Sequence, residues 1–203
     1  MYQQLDSFEF GMMLEGLPEI IGQGRIGQLG FLVDDIALAG VECSRKFGIK
    51  NWFVPRIRDS EIYSGNARLD QNFTIVIGYA NRVQIEIFSV GGQDKHILYG
   101  DRTAENLSLH HIGFFVGDVE KNRNRMKNQN YREIQNGQFS FARRSKTKFA
   151  YFDTADQFGV NVEFIENRFR NRRVDMKKWF IWSAALLGII ETSPETNLLR
   201  SAA

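Results

Sequence analysis

A single cysteine, Cys43, stands among 203 residues, so the chain cannot close an internal disulfide. The N-terminus, Met1-Tyr2-Gln3-Gln4-Leu5-Asp6, has neither the basic start nor the apolar run of a secretory signal. Both absences point to an intracellular, cytoplasmic protein. No apolar run is long. The longest, Trp179 to Ile190, covers about a dozen residues and is interrupted by Ser183 and Gly188, where a spanning helix needs roughly 20. Integral membrane insertion is not expected, and this segment is expected to dock on its own domain or on a dimer partner. A surplus of either charge is also missing. Lys and Arg number 26 against 24 Asp and Glu, a net charge of +2, so whole-protein electrostatics require neither nucleic acid nor an anionic membrane as partner.

The chain does have an ordinary hydrophobic fraction, 43%, and enough length for one large domain or two small ones. It also repeats itself. Ile26 to Ile36 can be laid over Leu109 to Val119 so that apolar positions match, Gly30 matches Gly113 and Asp35 matches Asp118. A second pair follows: Val83-Gln84-Ile85-Glu86-Ile87-Phe88 matches Val160-Asn161-Val162-Glu163-Phe164-Ile165. The pattern is that of a tandem duplication in which Gln28 corresponds to His111 and Glu86 to Glu163.

Each half reads as strand, helix and three further strands. Residues 26–33 form a strand, Asp34 or Asp35 caps a helix with spacing through Leu38, Val41 and Phe47, and Gly48 ends it. Trp52 to Pro55 reads as an extended edge, because proline lacks the ladder donor. Phe73 to Tyr79 and Arg82 to Val90 make a hairpin across Ala80-Asn81. The second half repeats this with a strand at 109–116, a cap at Asp118, a helix from Val119 to about Gln129, and strands near 131–135, 148–153 and 160–166. That helix carries Lys121, Arg123, Arg125 and Lys127 and has only Val119 and Met126 as main apolar anchors, so it belongs on the outer surface. The expected fold is α+β, two tandem βαβββ modules forming a cupped mixed sheet. The boundaries are an N-terminal extension at 1–25, modules at 26–92 and 109–167 joined by a linker at 93–108, and a C-terminal tail at 168–203 with a helix near 174–190.

Successive strand residues face opposite ways, so side chains at the middle of the first and fourth strands of each half can converge on the concave side of a curved sheet. Gln28, Glu86, His111 and Glu163 occupy those positions, two from each half. A carboxylate centred in an apolar strand is unfavourable to bury without a counter-charge, and one divalent cation offsets two of them. Three oxygen donors and one imidazole suit Zn, Ni, Co or Mn with open positions for water or substrate.

The duplicated βαβββ pattern, Gln28-Leu29-Gly30-Phe31 opening one half, His110-His111-Ile112-Gly113-Phe114 opening the other, and Glu86 and Glu163 in the closing strands resemble the vicinal oxygen chelate superfamily. The resemblance covers roughly residues 24–167. The set Gln28, Glu86, His111 and Glu163 is similar to the ligand set of glyoxalase I and close to that of methylmalonyl-CoA epimerase. It implies a metal-dependent lyase or isomerase that abstracts a proton beside a carbonyl of a small oxygen-rich substrate through a metal-stabilised enediolate. It further implies Glu163 as the base, Glu86 as ligand or as partner across the substrate, and a homodimer. Gln28 stands where a ring-cleaving dioxygenase carries its first histidine, which disfavours iron ring-opening chemistry. Leu32, Leu107 and Val90 stand where glyoxalase I has its glutathione-binding residues, which disfavours glutathione adducts. The main rival is a non-catalytic small-molecule binding protein on the same scaffold. A subunit that keeps its site without turnover is a third reading.

Three other features take plainer readings. His110 neighbours His111 on a strand and is expected to point the other way, in a packing or surface role; His96 reads as an ordinary loop residue. Arg143-Arg144-Ser145-Lys146-Thr147-Lys148 lies where a hairpin turns, a solvated basic turn whose sharper reading is a clamp in which Arg143 and Arg144 bind an anionic substrate tail. Gly22 to Gly27 is no dinucleotide loop, since it leads into a strand rather than a helix.

Overall fold

The computed structural model describes residues 26–99 and 107–174, together with 181 and 191–194. The N-terminal extension falls outside the described residues. So does the helix expected near 174–190, except at Val174, which has no regular structure, and at Ile181, which is helical and fully buried.

Strand β1 (Ile26–Leu32) leads through the cap residue Asp35, whose carboxylate accepts from the Leu38 amide at 2.9 Å, into helix α1 (Ile36–Phe47). Gly48 stops α1 in the left-handed conformation, φ 67°. Strands β2 (Asn51–Val54), β3 (Arg58–Ser64), β4 (Ala67–Arg68), β5 (Asn72–Ala80) and β6 (Val83–Gly91) complete the first half. A short helix α2 (His96–Tyr99) begins the connection to β7 (Ser108–Phe115), α3 (Val119–Asn128), β8 (Glu133–Ser140), β9 (Ser145–Phe152), a single helical turn α4 (Ala155–Phe158) and β10 (Asn161–Phe169). The small strand β11 (Arg172–Arg173) pairs with β10, and β12 (Glu191–Pro194) pairs with β2.

These strands form one mixed sheet in the order β12-β2-β5-β6-β1-β7-β10-β9-β8-β3-β4. In each half the first strand pairs in parallel with the last, β1 with β6 and β7 with β10, and the halves join through antiparallel β1 and β7. The winding β1-α1-β2-β5-β6 is thus repeated as β7-α3-β8-β9-β10.

The first half contains one hairpin that the sequence pattern did not announce. β3 and β4 follow β2, yet β3 pairs with β8 at the far edge of the second half, with Ile62 opposite Gly137. Arg58 to Ser64 buries only Ile62 and is otherwise polar, so its strand state comes from long-range pairing rather than from local alternation. Its position bends the whole sheet. Val54 and Arg58 lie near opposite ends of the strand order, and the chain between them can span at most ~14 Å even when fully extended. The two ends must therefore approach, and the sheet curls into a cup.

Period-two alternation divides each central strand between the cup and the helices. Ile85 and Ile87 of β6 pack outward with Phe31, Ile36, Cys43 and Trp52 beneath α1, whereas Phe88 and Val90 face inward. Val162 and Phe164 of β10 pack outward with Val119 and Met126 of α3. Val119 and Met126 are indeed the buried pair of an otherwise charged helix. Helix α1 corrects its expected face. Leu38 is 66% exposed and Val41 39%, while Ile36, Ala37, Ala39, Gly40, Cys43 and Ser44 are buried. Small residues form the contact because the helix lies close to the sheet, where Trp52 Nε1 donates to Ser44 Oγ at 2.9 Å. Burial, followed by the charge of Glu42, pushes the Cys43 thiol up to about 12, so it is no nucleophile at neutral pH.

Helix α3 is held down by charge as well as by its two anchors. Arg123 grips Glu133 of β8 with two parallel hydrogen bonds, Nε to Oε2 at 2.7 Å and Nη2 to Oε1 at 2.8 Å, and Glu133 is largely buried. Burial alone would raise the Glu133 pKa, but Arg123 and Lys127 outweigh it and hold the carboxyl below its usual value of 4.5. A folded-state pKa below the unfolded one stabilises the fold above the unfolded value and loses that effect as pH falls. Glu133→Gln is expected to cost about 1–3 kcal/mol at pH 7, with the difference from the parent shrinking below about pH 4 in thermal melts recorded across pH.

Candidate metal centre

Gln28, Glu86, His111 and Glu163 lie on β1, β6, β7 and β10, the four consecutive strands at the middle of the sheet. All four are buried: Gln28 is 4% exposed, Glu86 7%, His111 0% and Glu163 4%. Their donor atoms converge on one point. His111 Nε2 lies 3.1 Å from Glu163 Oε2, 3.3 Å from Glu86 Oε2 and 3.4 Å from Gln28 Oε1. The ligand-type atoms of Glu86, His111 and Glu163 all fall within 4.8 Å of one another.

Two glycines make this convergence sterically possible. Gly30 pairs with both Glu86 and His111, and a Cβ there would lie 1.9 Å from the His111 ring. Its repeat counterpart Gly113 pairs with Gln28 and Glu163, and a Cβ there would lie 2.6 Å from Gln28 Oε1. Each half thus leaves a gap that a ligand of the other half fills, which is the physical content of the matched glycines in the repeat.

The orientations are set by side chains that the sequence reading did not single out. Gln28 Nε2 donates to Gln84 Oε1 at 2.7 Å, and Gln84 Nε2 donates to the Tyr79 hydroxyl at 2.9 Å. This relay turns the Gln28 carbonyl oxygen toward the cluster. Gln84 could have been found, because it is two residues from Glu86 on the same face of β6. Tyr151, the cross-strand partner of Glu163 on the neighbouring strand β9, sets its hydroxyl beside the Glu163 carboxylate, where it favours the charged form. Burial, then Glu163 and Glu86, push the Tyr151 pKa well above its usual value, so it remains a donor.

His110 departs from the expected direction. The β1–β7 register runs from Gly30 opposite His111 to Phe31 opposite Leu109, so His110 is the extra residue of a bulge. The bulge brings its ring to the same side as His111. It is 2% exposed, packs edge-on to Phe88 and Tyr151, and places Nδ1 3.1 Å from His111 Nδ1. When His111 Nε2 offers a lone pair to the cluster, its Nδ1 carries the hydrogen and donates to His110, which fixes the tautomer. His96 is exposed at the start of α2 and lies away from the cluster. Arg143 and Arg144 are exposed on the β8–β9 turn and do not line the cavity above the cluster, although the flanking Phe141 and Thr147 do.

The donor set fits a cation. One imidazole nitrogen has room for one hydrogen, yet three oxygens crowd around it. Glu163 Oε2 is buried, and despite its 3.1 Å approach to His111 Nε2 it accepts no hydrogen bond among the described residues. Four lone-pair donors aimed at one buried point leave an electrostatic deficit that Glu86, His111 and Glu163 could relieve by holding a metal ion.

Residues 27–151, more than half of the chain, match the Glyoxalase/Bleomycin resistance protein/Dioxygenase superfamily, and the chain belongs to that superfamily. No curated protein matches the chain. Among solved structures it is similar to a hypothetical protein from Bacillus halodurans, at 15% identity over 72% of this chain and 96% of that one, TM-score 0.47. It is also similar to methylmalonyl-CoA epimerase from Mycobacterium tuberculosis, at 14% identity over 68% of this chain and 85% of that one, TM-score 0.40. A Streptomyces coelicolor methylmalonyl-CoA epimerase in complex with 2-nitronate-propionyl-CoA matches at 14% identity over 70% of this chain and 95% of that one, TM-score 0.42. Among the described residues no helix is long and apolar enough to cross a membrane.

Proton occupancy of the cluster sets the pH dependence of cation binding. Burial opposes the charged imidazolium, but Glu163 and Glu86 together outweigh it and push the His111 pKa from 6.5 up to about 9. With the folded value above the unfolded one, proton-linked stabilisation of the metal-free fold is complete below about pH 6.5 and is lost as pH rises through about 9. A cation must displace that proton. Zn2+ titrated at pH 7 is expected to release protons, seen as a buffer-dependent heat in calorimetry, with apparent affinity rising up to about tenfold per pH unit as pH approaches 9.

Proposed function

We propose that the protein is a metal-dependent lyase or isomerase that removes a proton from the carbon beside a carbonyl of a small oxygen-rich substrate. The observation that carries this reading is the Glu163 carboxylate, buried beside His111 with one oxygen accepting no hydrogen bond. Burial raises the Glu163 pKa against the opposing pull of His111, which makes the carboxylate a stronger base than a solvated one. Gln28, Glu86, His111 and Glu163 would hold Zn, Ni, Co or Mn. A divalent ion there would, when bound, supply Lewis-acid polarisation of the substrate carbonyl.

The chain's own residues do the rest. Glu163 takes the proton, and the Tyr151 hydroxyl beside it favours the charged carboxylate. Glu86 Oε2 lies 3.3 Å from His111 Nε2, where it serves as ligand or faces the other side of the substrate. The Gln84 relay keeps the Gln28 oxygen turned inward, and His110 keeps His111 in one tautomer. An anionic substrate tail leaving the cavity would meet Arg143 and Arg144 on the β8–β9 turn.

The test is metal analysis of the purified protein followed by solvent deuterium exchange into 2-hydroxycarbonyl and acyl-thioester compounds. Glu163→Gln is expected to keep metal content within a few-fold while exchange falls at least about 100-fold; full exchange by this variant would overturn the assignment of the base. Metal and ligand bound without exchange would instead mark a binding protein on the same scaffold. Replacing Arg143 and Arg144 by Ala is expected to weaken binding of anionic-tailed compounds several-fold at low salt and to have little effect near 1 M salt, where the screening length is about 3 Å.

A further inference from the structure

The cavity above the cluster shows which part of a substrate can enter. Its walls are aromatic: Phe53, Phe73, Phe88, Phe139, Phe141 and Phe149 all line it, with isoleucines between them. Its charged lining residues among those described are Glu86 and Glu163, both at the cluster, and no described lysine or arginine contributes. On β10, Glu163, Ile165 and Asn167 line the cavity in turn, so the wall runs from the cluster through an apolar zone to an amide about 13 Å further along the strand. That amide is uncharged too, its oxygen accepting from Thr147 Oγ1 at 2.8 Å. The enclosed volume is small, about 60 Å³.

Resting on the reading of the cluster as a proton-abstraction site, we propose that the group attached next to the substrate's chelating oxygens is short, apolar and uncharged. A phosphate or carboxylate on that group would leave water for an aromatic wall with no described cationic side chain to receive it, the charge of the bound ion being already offset by Glu86 and Glu163. An alkyl group in the same place exchanges water for phenylalanine faces and gains at each carbon. Any anionic portion of the substrate lies beyond the cavity.

Three small compounds that share the head HOCH2–CO– isolate this property: hydroxyacetone, 1-hydroxyhexan-2-one and dihydroxyacetone phosphate. Their affinities for the zinc-loaded protein are measured by calorimetry, and deuterium exchange is followed in parallel. At about fourfold per buried methylene, the hexanone should bind at least tenfold more tightly than hydroxyacetone, and the phosphate more weakly than hydroxyacetone. A phosphate that binds as tightly as hydroxyacetone, or a hexanone with no gain, overturns the proposal. Phe139→Lys, on a half-buried position of the wall, should raise phosphate affinity and narrow the ranking; an unchanged ranking in a folded variant also overturns it. The two readings fail separately. The expected ranking without exchange of any probe sinks the chemistry and supports the apolar wall, whereas exchange of all three with a flat ranking supports the chemistry and sinks the wall.

Discussion

Three side-chain oxygens crowd a single imidazole nitrogen in the middle of the sheet, and a nitrogen with one hydrogen cannot answer all of them. Much of the surrounding architecture serves to hold that imbalance in place. Two carboxylates in a buried cluster repel each other and favour water, so the fold must supply enough packing elsewhere to keep them inward. It does so with apolar outward faces of β6 and β10 beneath α1 and α3. Without such packing on the convex side, strands carrying Glu86 and Glu163 would have no reason to present them to the concave side.

The curl of the sheet is the second requirement, because a flat sheet would leave the same residues open to solvent. Curl comes from the hairpin β3-β4, which leaves one end of the strand order and pairs at the other across a connection of a few residues. The cup, its aromatic wall and the cluster at its base are consequences of that crossing together with the alternation of inward and outward residues.

The duplicated half, the four inward positions and the two caps were legible in the sequence because each rests on spacing alone: Gln28 against His111, Glu86 against Glu163, Asp35 against Asp118. The face of α1 was misjudged for a packing reason. Large apolar residues dominate a periodicity count, but the close approach to the sheet favours Ala39, Gly40 and Cys43, leaving Leu38 and Val41 outside. β3 was not legible because its partner β8 lies some seventy residues away in the chain and its own composition is polar. The direction of His110 was not legible because a bulge breaks the period of two, and a bulge is a property of the pairing between β1 and β7 rather than of either strand. The relay through Gln84 and Tyr79 and the contact from Tyr151 likewise depend on register, which fixes cross-strand neighbours only once the sheet is assembled.

The reciprocal gaps at Gly30 and Gly113 bear on ancestry. Since each half makes room for a donor from its sibling, the centre exists only at the seam, and no single half owns it. An ancestral half-length polypeptide could have had such a centre by self-association, but two copies of the first half would offer a pair of amides and a pair of carboxylates with no nitrogen base. Two copies of the second would offer two imidazoles and two carboxylates, a softer and more cation-hungry set. Joining two unequal halves in one chain makes the cluster asymmetric, with an amide and a carboxylate from one side of the seam and an imidazole and a carboxylate from the other.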